Sequence, residues 1–458
     1  MRSISLVVVT LICLMILASG GSAYAASQEQ VLYSFQGETN DGFTPTGGVV
    51  FDKAGNLYGA TRGGGPESCA PDGYDCGTVY QLAPPIKKGD PWTETILIQF
   101  KGKASNDVSV PSGGLIIDNA GNLYGVSGFG GTGNCVILGT SAGCGTVYEL
   151  SPPKQKGGQW TETILYSFKG GNDGYYPGGN LTFDKTGNLY GATVFGGGKG
   201  NTCDQYFGGY CGTVFKLSPP KQKGGNWTEK VLHSFAGGTD GANPNGEFVL
   251  DGEGNMYGTT FSGGNSGCKT AGSVGCGTVM TLVSPVSKGS KWSERILHRF
   301  VGQDGAEPDA GVILDATGNL FGTASAGGSG IYGVIFEVSK SGGRWSERAL
   351  YSFTGGSDCA TPEGALTLSA TGDLYGTTYG GTELCPWGNV FQMKRPKKED
   401  GTWTRVALYS FEGPPDGGDP AAILLLDKNN NLYGTTLLGG TGTTCGRSGC
   451  GAVFELRP

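Results

Sequence analysis

One pentapeptide, Gly-Asn-Leu-Tyr-Gly, returns seven times along the chain, and no other feature limits the fold as strongly. It stands at 55–59, 121–125 and 187–191, then at 254–258 (Met256 for Leu), 318–322 (Phe321 for Tyr), 372–376 (Asp373 for Asn) and 430–434 (Asn430 for the first Gly). Successive copies lie roughly 54 to 67 residues apart, slightly longer than a kelch-type blade. A chain with such a period folds as an array of one supersecondary unit, because each unit buries its apolar face only against its neighbours.

The third copy shows the whole unit. Residues 177–184 read as a strand with Leu181 and Phe183 on one side, and Thr186-Gly187 turns the chain into a second strand, 188–193. A Gly-rich loop with two cysteines follows, then a third strand at 212–217, a turn over Ser218 to Gly225, and a fourth strand at 227–235. Alternating patterning, β-branched and aromatic enrichment and Gly/Pro punctuation agree on strands, and no segment has a helical period. Glycine, at 88 of 458 residues, far exceeds the usual ~7%. Its fixed repeat positions make it turn and bulge glycine rather than a sign of disorder.

Four short strands per unit predict an all-β, seven-bladed β-propeller with four-stranded antiparallel blades. A fourth-strand pattern, Val31-Leu32-Tyr33-Ser34-Phe35, stands alone ahead of the first repeat, while the last repeat stops after its third strand. The N-terminal strand is therefore expected to pair with the last blade and close the ring, removing an exposed sheet edge. An open β-solenoid is the rival.

The motif Gly-Asn-Leu-Tyr-Gly-Thr-Thr followed by Gly-Gly and then Gly-Thr-Val-Phe-x-Leu resembles the GloVer tandem repeat of exported bacterial choice-of-anchor proteins. The resemblance covers essentially the whole chain after its first 25 residues. It implies export and the repeat fold, and no specific biochemical role. Members of that family carry varied C-terminal anchors, and none is visible here. Residues 1–25 have a basic start, an apolar centre and Ala23-Tyr24-Ala25, the pattern of a secretory signal peptide. Residues 26–458 are then the propeller, secreted or periplasmic, with no membrane span and a monomer expected.

Of 13 cysteines, Cys13 lies in the leader. The others pair locally as Cys69 with Cys76, Cys135 with Cys144, Cys203 with Cys211, Cys268 with Cys276, and Cys445 with Cys450, each in a second-to-third-strand loop. Cys359 and Cys385 remain and belong to the sixth repeat. Locally paired cysteines in an exported chain predict disulfides. The spacings are not C-x-x-C and no histidines accompany them, so zinc is not expected.

The chain has two histidines, His233 and His298, in the fourth-strand place held elsewhere by Tyr33, Tyr166, Tyr351 and Tyr409. They are expected to be strand residues interchangeable with Tyr, and a Ser-His-Asp or Cys-His site then lacks its base. Asp41, Asp107, Asp173, Asp240, Asp304, Asp358 and Asp416 each stand four residues before a proline, in the connection from a fourth strand to the next first strand. Recurrence in every blade predicts Asx-turns. Seven carboxylates on one rim could also take calcium, and no other cofactor is expected. Phe129, Phe195, Phe261 and Tyr379 follow second strands, and Tyr74, Tyr206, Phe207, Tyr210 and Trp387 lie in the cysteine loops. Aromatic faces beside carboxylates suit sugar stacking, whereas packing of glycine-rich loops is the plainer role. Lys87, Lys88, Lys154, Lys156 and their equivalents make the opposite rim basic, but the net charge is −7, which disfavours nucleic acid. The leading expectation is a non-catalytic extracytoplasmic binding propeller for carbohydrate or another envelope polymer. The alternatives are a carbohydrate-active hydrolase or lyase using carboxylates on the disulfide-loop rim, and a structural surface protein.

Overall fold

The computed structural model describes residues 27–458 apart from 39, 66–75, 138, 198–210, 223, 266, 271–272, 286, 288–289 and 399–400. The expected leader, Cys69, Tyr74, Cys203, Tyr206, Phe207 and Tyr210 lie outside the described residues.

Seven four-stranded antiparallel blades form a β-propeller. Blade 1 is Gly42–Phe51, Leu57–Gly64, Thr78–Ala83 and Thr93–Gln99, in that order from axis to periphery. Blades 2 to 6 follow within 108–167, 175–234, 249–299, 313–352 and 367–410. Blade 7 takes Leu425–Leu426, Leu432–Thr436 and Ala452–Arg457 from the end of the chain and Gln28–Ser34 from its beginning. Gln28 pairs with Arg457 and Ser34 with Ala452, so the predicted closure is present and the ring has no open edge.

The pentapeptide builds the hairpin between first and second strands. In blade 3, Asp184 Oδ1 accepts from the Thr186 and Asn188 N–H groups, and Oδ2 accepts from Asn188 Nδ2 at 2.6 Å and the Tyr190 hydroxyl at 3.2 Å. Leu189 is fully buried. The closing glycine is required by packing, since a Cβ on Gly191 would stand 2.7 Å from the Phe215 ring.

First strands differ from their predicted length. They are continuous in blades 1 and 3, split in blade 2, and only two residues long in blades 4 to 7. The break falls around the repeat proline, which has no N–H for the ladder. The residue before it is left-handed in every blade: Thr44, Val110, Tyr176, Asn243, Glu307, Thr361 and Asp419 have φ between 52° and 58°. This conformation turns the N–H of that residue toward the preceding blade. Thr44 N donates to Cys450 O, Val110 to Cys76, Tyr176 to Cys144, Asn243 to Cys211, Glu307 to Cys276, Thr361 to Tyr332 and Asp419 to Trp387, all at 2.7 to 3.0 Å.

Apolar packing between blades follows the same junction. The Phe ending each fourth strand meets an aromatic ring of the next blade's third strand: Phe35 on Tyr80, Phe100 on Tyr148, Phe168 on Phe215, Phe300 on Phe336, Phe353 on Phe391 and Phe411 on Phe454. Met280 takes the ring's place against Phe235. Edge-on pairs of this kind add roughly 0.5–1.5 kcal/mol each beyond burial. Among the described residues no helix is long and apolar enough to cross a membrane.

Gly212 follows the second cysteine of blade 3 with φ 95°, and a Cβ there would stand 2.5 Å from Thr193 O and 2.6 Å from Pro244 Cδ. Gly187 has φ 81° with nothing within 4 Å. Gly187→Ala should therefore cost about 1–2 kcal/mol, the left-handed penalty alone. Gly212→Ala should cost a further ~1–3 kcal/mol for overpacking. Urea unfolding of both variants measures the difference; equal losses would mean that the glycine does not hold the junction.

Candidate functional site

The disulfide loops and the fourth-to-first-strand connections share one rim, because the strands alternate in direction. Bridges join Cys135 to Cys144, Cys268 to Cys276, Cys359 to Cys385 and Cys445 to Cys450. Cys76 and Cys211 are also disulfide-bonded, and their expected partners lie outside the described residues. The bridges fit an oxidising, extracytoplasmic setting.

The seven aspartates of this rim occupy seven separate junctions. Each accepts backbone N–H bonds in its own loop: Asp41 from Gln36 and Gly42, Asp107 from Lys101 and Val108, Asp173 from Lys169, Asp240 from Ala236, Asp304 from Val301, Asp358 from Thr354 and Gly356, and Asp416 from Glu412 and Gly417. The fourth-strand residue of the same blade adds a side-chain contact. The Tyr166, Tyr351 and Tyr409 hydroxyls donate at 2.7 to 3.0 Å. His298 Nε2 lies 2.9 Å from Asp304, and His233 Nε2 lies 3.5 Å from Asp240. The histidines thus take the place of the tyrosines.

A third member of each junction was not singled out in the sequence. The next blade's outer strand points Glu94, Glu162, Glu229, Glu294, Glu347 or Glu29 toward the aspartate, and Arg405 in blade 6. All six Glu have a buried Oε1 that makes no hydrogen bond. Burial first, and then the facing aspartate, pushes Glu162 and Glu294 up to about 9. Burial, with Asp41 adding to it, takes Glu94 to about 8. Burial holds Glu29, Glu229 and Glu347 at about 7. Asp240 goes the other way: burial opposes its charge, but contacts from His233, Glu294 and the Ala236 N–H bring it to about 2. Two close carboxylates resist ionising together, and at the Asp240–Glu294 junction the two partners shift in opposite directions. At the sixth blade the Arg405 guanidinium does the corresponding work, donating to Asp358 O at 3.1 Å and lying over the Tyr351 and Phe353 rings. The sequence signal was a Glu two residues after five of the six fourth-strand Trp residues, with Arg405 in that place after Trp403.

The candidate aromatics divide. Phe129 is buried on Val110 and Tyr176, and Phe195 stacks on Tyr175 at 5.2 Å. Trp387 packs over the Gly413 and Gly418 backbone, and Phe261 is half-buried with its N–H bonded to Asn243 O. Tyr379 is also half-buried, and its hydroxyl bonds Asp419.

Sevenfold sameness ends at the axis. The residues after the repeat proline are Thr46-Gly47, Ser112-Gly113 and Gly178-Gly179 in blades 1 to 3. Blades 4 to 6 instead bring Asn245 and Glu247, Asp309, and Glu363 to this position. Asn245 Nδ2 donates to Asp309 Oδ1 at 2.8 Å. Glu247 and Glu363 are half-buried, so water reaches them within a protein-lined space, and burial pushes both up to about 7. Asp309 and Asp419 are raised too, chiefly by burial, and both add to the shift of Glu363. Four carboxyls, an amide and the Tyr379 phenol thus gather on one side of the axis, toward the disulfide rim. Apart from it, a shallow depression of about 380 Å³ lies between the connection into blade 7 and its cysteine loop, lined by Pro414, Pro415, Thr441, Thr443, Arg447 and glycines.

The molecule is therefore a closed repeat propeller with an asymmetric acidic axis. The chain belongs to the Gloeobacter/Verrucomicrobia repeat family, whose model matches residues 21–202 and 266–458. No curated protein matches it in sequence. Among solved structures it is similar to a protein of unknown function from Dyadobacter fermentans DSM 18053, at 14% identity and TM-score 0.46, covering 94% of this chain and 97% of that one. It is similar also to a Thermus thermophilus protein described as a candidate oxidoreductase (glucose dehydrogenase), at 14% identity and TM-score 0.43, covering 94% and 100%. A luciferin-regenerating enzyme aligns at 11% identity and TM-score 0.43 over 76% and 91%.

The junction glutamates give a signed pH dependence. Their Glu carboxyls hold protons up to about 7 to 9, against an ordinary value of 4.5. Their stabilisation is complete below the ordinary value and is lost as pH rises through 7 to 9. Thermal unfolding should thus fall steadily from pH 5 to pH 9. Glu94→Gln/Glu162→Gln should flatten the fall by removing two of the ionisations. A melting temperature that rises over this range would contradict the assignment.

Proposed function

We propose that the chain is an exported binding propeller whose ligand is a carbohydrate or another envelope polymer. Residues 1–25 act as the leader and residues 26–458 as the mature binding unit, secreted or periplasmic. The observation that supports this reading is the break in symmetry at the axis. Carboxyls that recur in every blade are engaged in holding blades together, whereas Glu247, Asp309, Glu363 and Asp419 gather without recurring. Variable positions on a rigid scaffold are where binding residues concentrate. Half-buried carboxyls and an amide offer both donors and acceptors to sugar hydroxyls, and the Tyr379 ring offers an apolar face. The bridged loops frame that mouth.

One observation favours a second reading, a carbohydrate-active hydrolase or lyase. Glu363, held at about 7 by burial with Asp309 and Asp419 adding to it, has the character of a general acid beside further carboxyls.

Purified mature protein incubated with insoluble polysaccharides, with calcium and with chelator, distinguishes the readings. The binding reading expects depletion from solution on one polymer, with at least a tenfold loss of affinity in Glu247→Gln/Asp309→Asn. No release of reducing ends accompanies it. Release that Glu363→Gln abolishes would establish the hydrolase instead. Depletion by none of the polymers would remove carbohydrate as the ligand class.

A further inference from the structure

Two of the seven junctions differ from the rest in a way that changes what they can hold. Among the described residues, the groups of three metal-ligating side chains whose ligand atoms lie within 4.8 Å of one another are His233, Asp240 and Glu294, and His298, Asp304 and Glu347. The first lies between blades 3 and 4, the second between blades 4 and 5. We propose that these two junctions each bind a divalent transition-metal ion, Zn²⁺ by donor set, through one imidazole and two carboxylates. This site is independent of the axis.

The geometry supports it in three ways. First, His233 Nε2 stands 3.5 Å from Asp240 and 3.9 Å from Glu294, and ligands each about 2.0–2.2 Å from one ion are spaced like this. Second, His233 Nε2, Glu294 Oε1 and Glu347 Oε1 are buried atoms with no hydrogen-bond partner; each is aimed into its cluster, and buried polar atoms ordinarily find partners. Third, the imidazole rings are held in place, edge-on to Phe235 at 4.7 Å and to Phe300 at 4.8 Å. One imidazole with two carboxylates leaves a fourth position open, as in zinc sites that keep an exchangeable ligand.

The charge balances. Binding requires the Nδ1–H tautomer of the histidine, which turns the Nε2 lone pair inward, and both carboxyls deprotonated, any proton they carry passing to solvent. Two carboxylates, a neutral imidazole and a dication then sum to zero. The sister junctions lack this option. Tyr33, Tyr166, Tyr351 and Tyr409 hydrogen-bond their aspartates, and a phenol raised by burial and a nearby carboxylate stays protonated. Ile98 offers no ligand at the remaining Glu-bearing junction. The two histidine junctions are not equal. Arg299 faces Glu294, while its guanidinium donates to Thr239 O at 3.0 and 3.2 Å. The corresponding residue of blade 5 is Ser352, so the His298 junction is the tighter one.

The full mature chain, stripped with chelator and then dialysed against excess Zn²⁺ at neutral pH, reads the proposal by zinc content. The expected result is two ions per chain in the parent, one in His233→Tyr, one in His298→Tyr and none in the double variant. Tyrosine stands at this position in four sister blades, so the variants keep a side chain the fold already accepts. Glu294→Gln/Glu347→Gln provides a second pair that should lose zinc equally. A parent that retains no zinc, or a double histidine variant that retains as much as the parent, overturns the proposal.

Discussion

Every junction between blades turns on one hydrogen bond, from the N–H of the residue before the repeat proline to a carbonyl at the end of the preceding blade's second-to-third-strand loop. The bond is available only because that residue is left-handed, and a non-glycine residue there costs on the order of 1–2 kcal/mol. Seven such costs persist because the surroundings determine the conformation from both sides. The aspartate four residues before the proline fixes the approach through its own loop N–H groups, and the proline fixes φ on the far side. The glycine after the loop carbonyl leaves room for the proline ring, as Gly212 does for Pro244. Ring closure is then the same bond once more, Thr44 to Cys450, with Thr435 Oγ1 donating to Gly47 O across the same seam.

The carboxyl pairs add a second, electrostatic layer to this clasp. A buried ion pair repays its desolvation only with good geometry, and these junctions avoid the full cost by keeping one partner neutral. Arg405 is the exception that displays the rule. Where a cation replaces the Glu, it needs Asp358 and Asn389 as acceptors and three aromatic faces around it. The neutral acid needs only its aspartate. Nearest-neighbour coupling of this kind makes ring stability a sum over junctions, so a change in proton occupancy acts several times at once.

Most of the scaffold was legible because its signals are local. Strand alternation, the Asp-to-Asn turn of the pentapeptide and cysteines a few residues apart all lie within one repeat, and the orphan strand at 31–35 disclosed the closure. The Glu–Asp junction pairs were not legible, because Glu162 is 55 positions away from Asp107 and on a strand whose alternation reads as solvent-facing polar residues. The left-handed residues were hidden for a different reason. Val110 and Tyr176 are β-formers, and a residue before proline is ordinarily extended; tertiary bonding overrides both preferences. The acids at the axis fell within what reads as strand entry, so Glu247, Asp309 and Glu363 looked like ordinary variation in the residues after proline.

Repetition itself separates structural from functional residues here. A side chain demanded by the clasp appears in nearly every blade, so each departure from the pattern is informative about something the clasp does not require. Arg405 and Ile98 depart and remain compatible with blade packing alone. His233 and His298 depart in adjacent junctions, keep the aspartate contact and exchange a phenol for a lone pair. The axial carboxyls depart in adjacent blades as well, so blade 4 contributes to both clusters. A repeat protein can change chemistry at one junction without disturbing the other six, because each junction is completed by its two neighbouring blades alone. Residues that break the repeat while preserving its hydrogen bonds, as His298 does with Asp304, are the ones a sevenfold scaffold is free to use for a ligand.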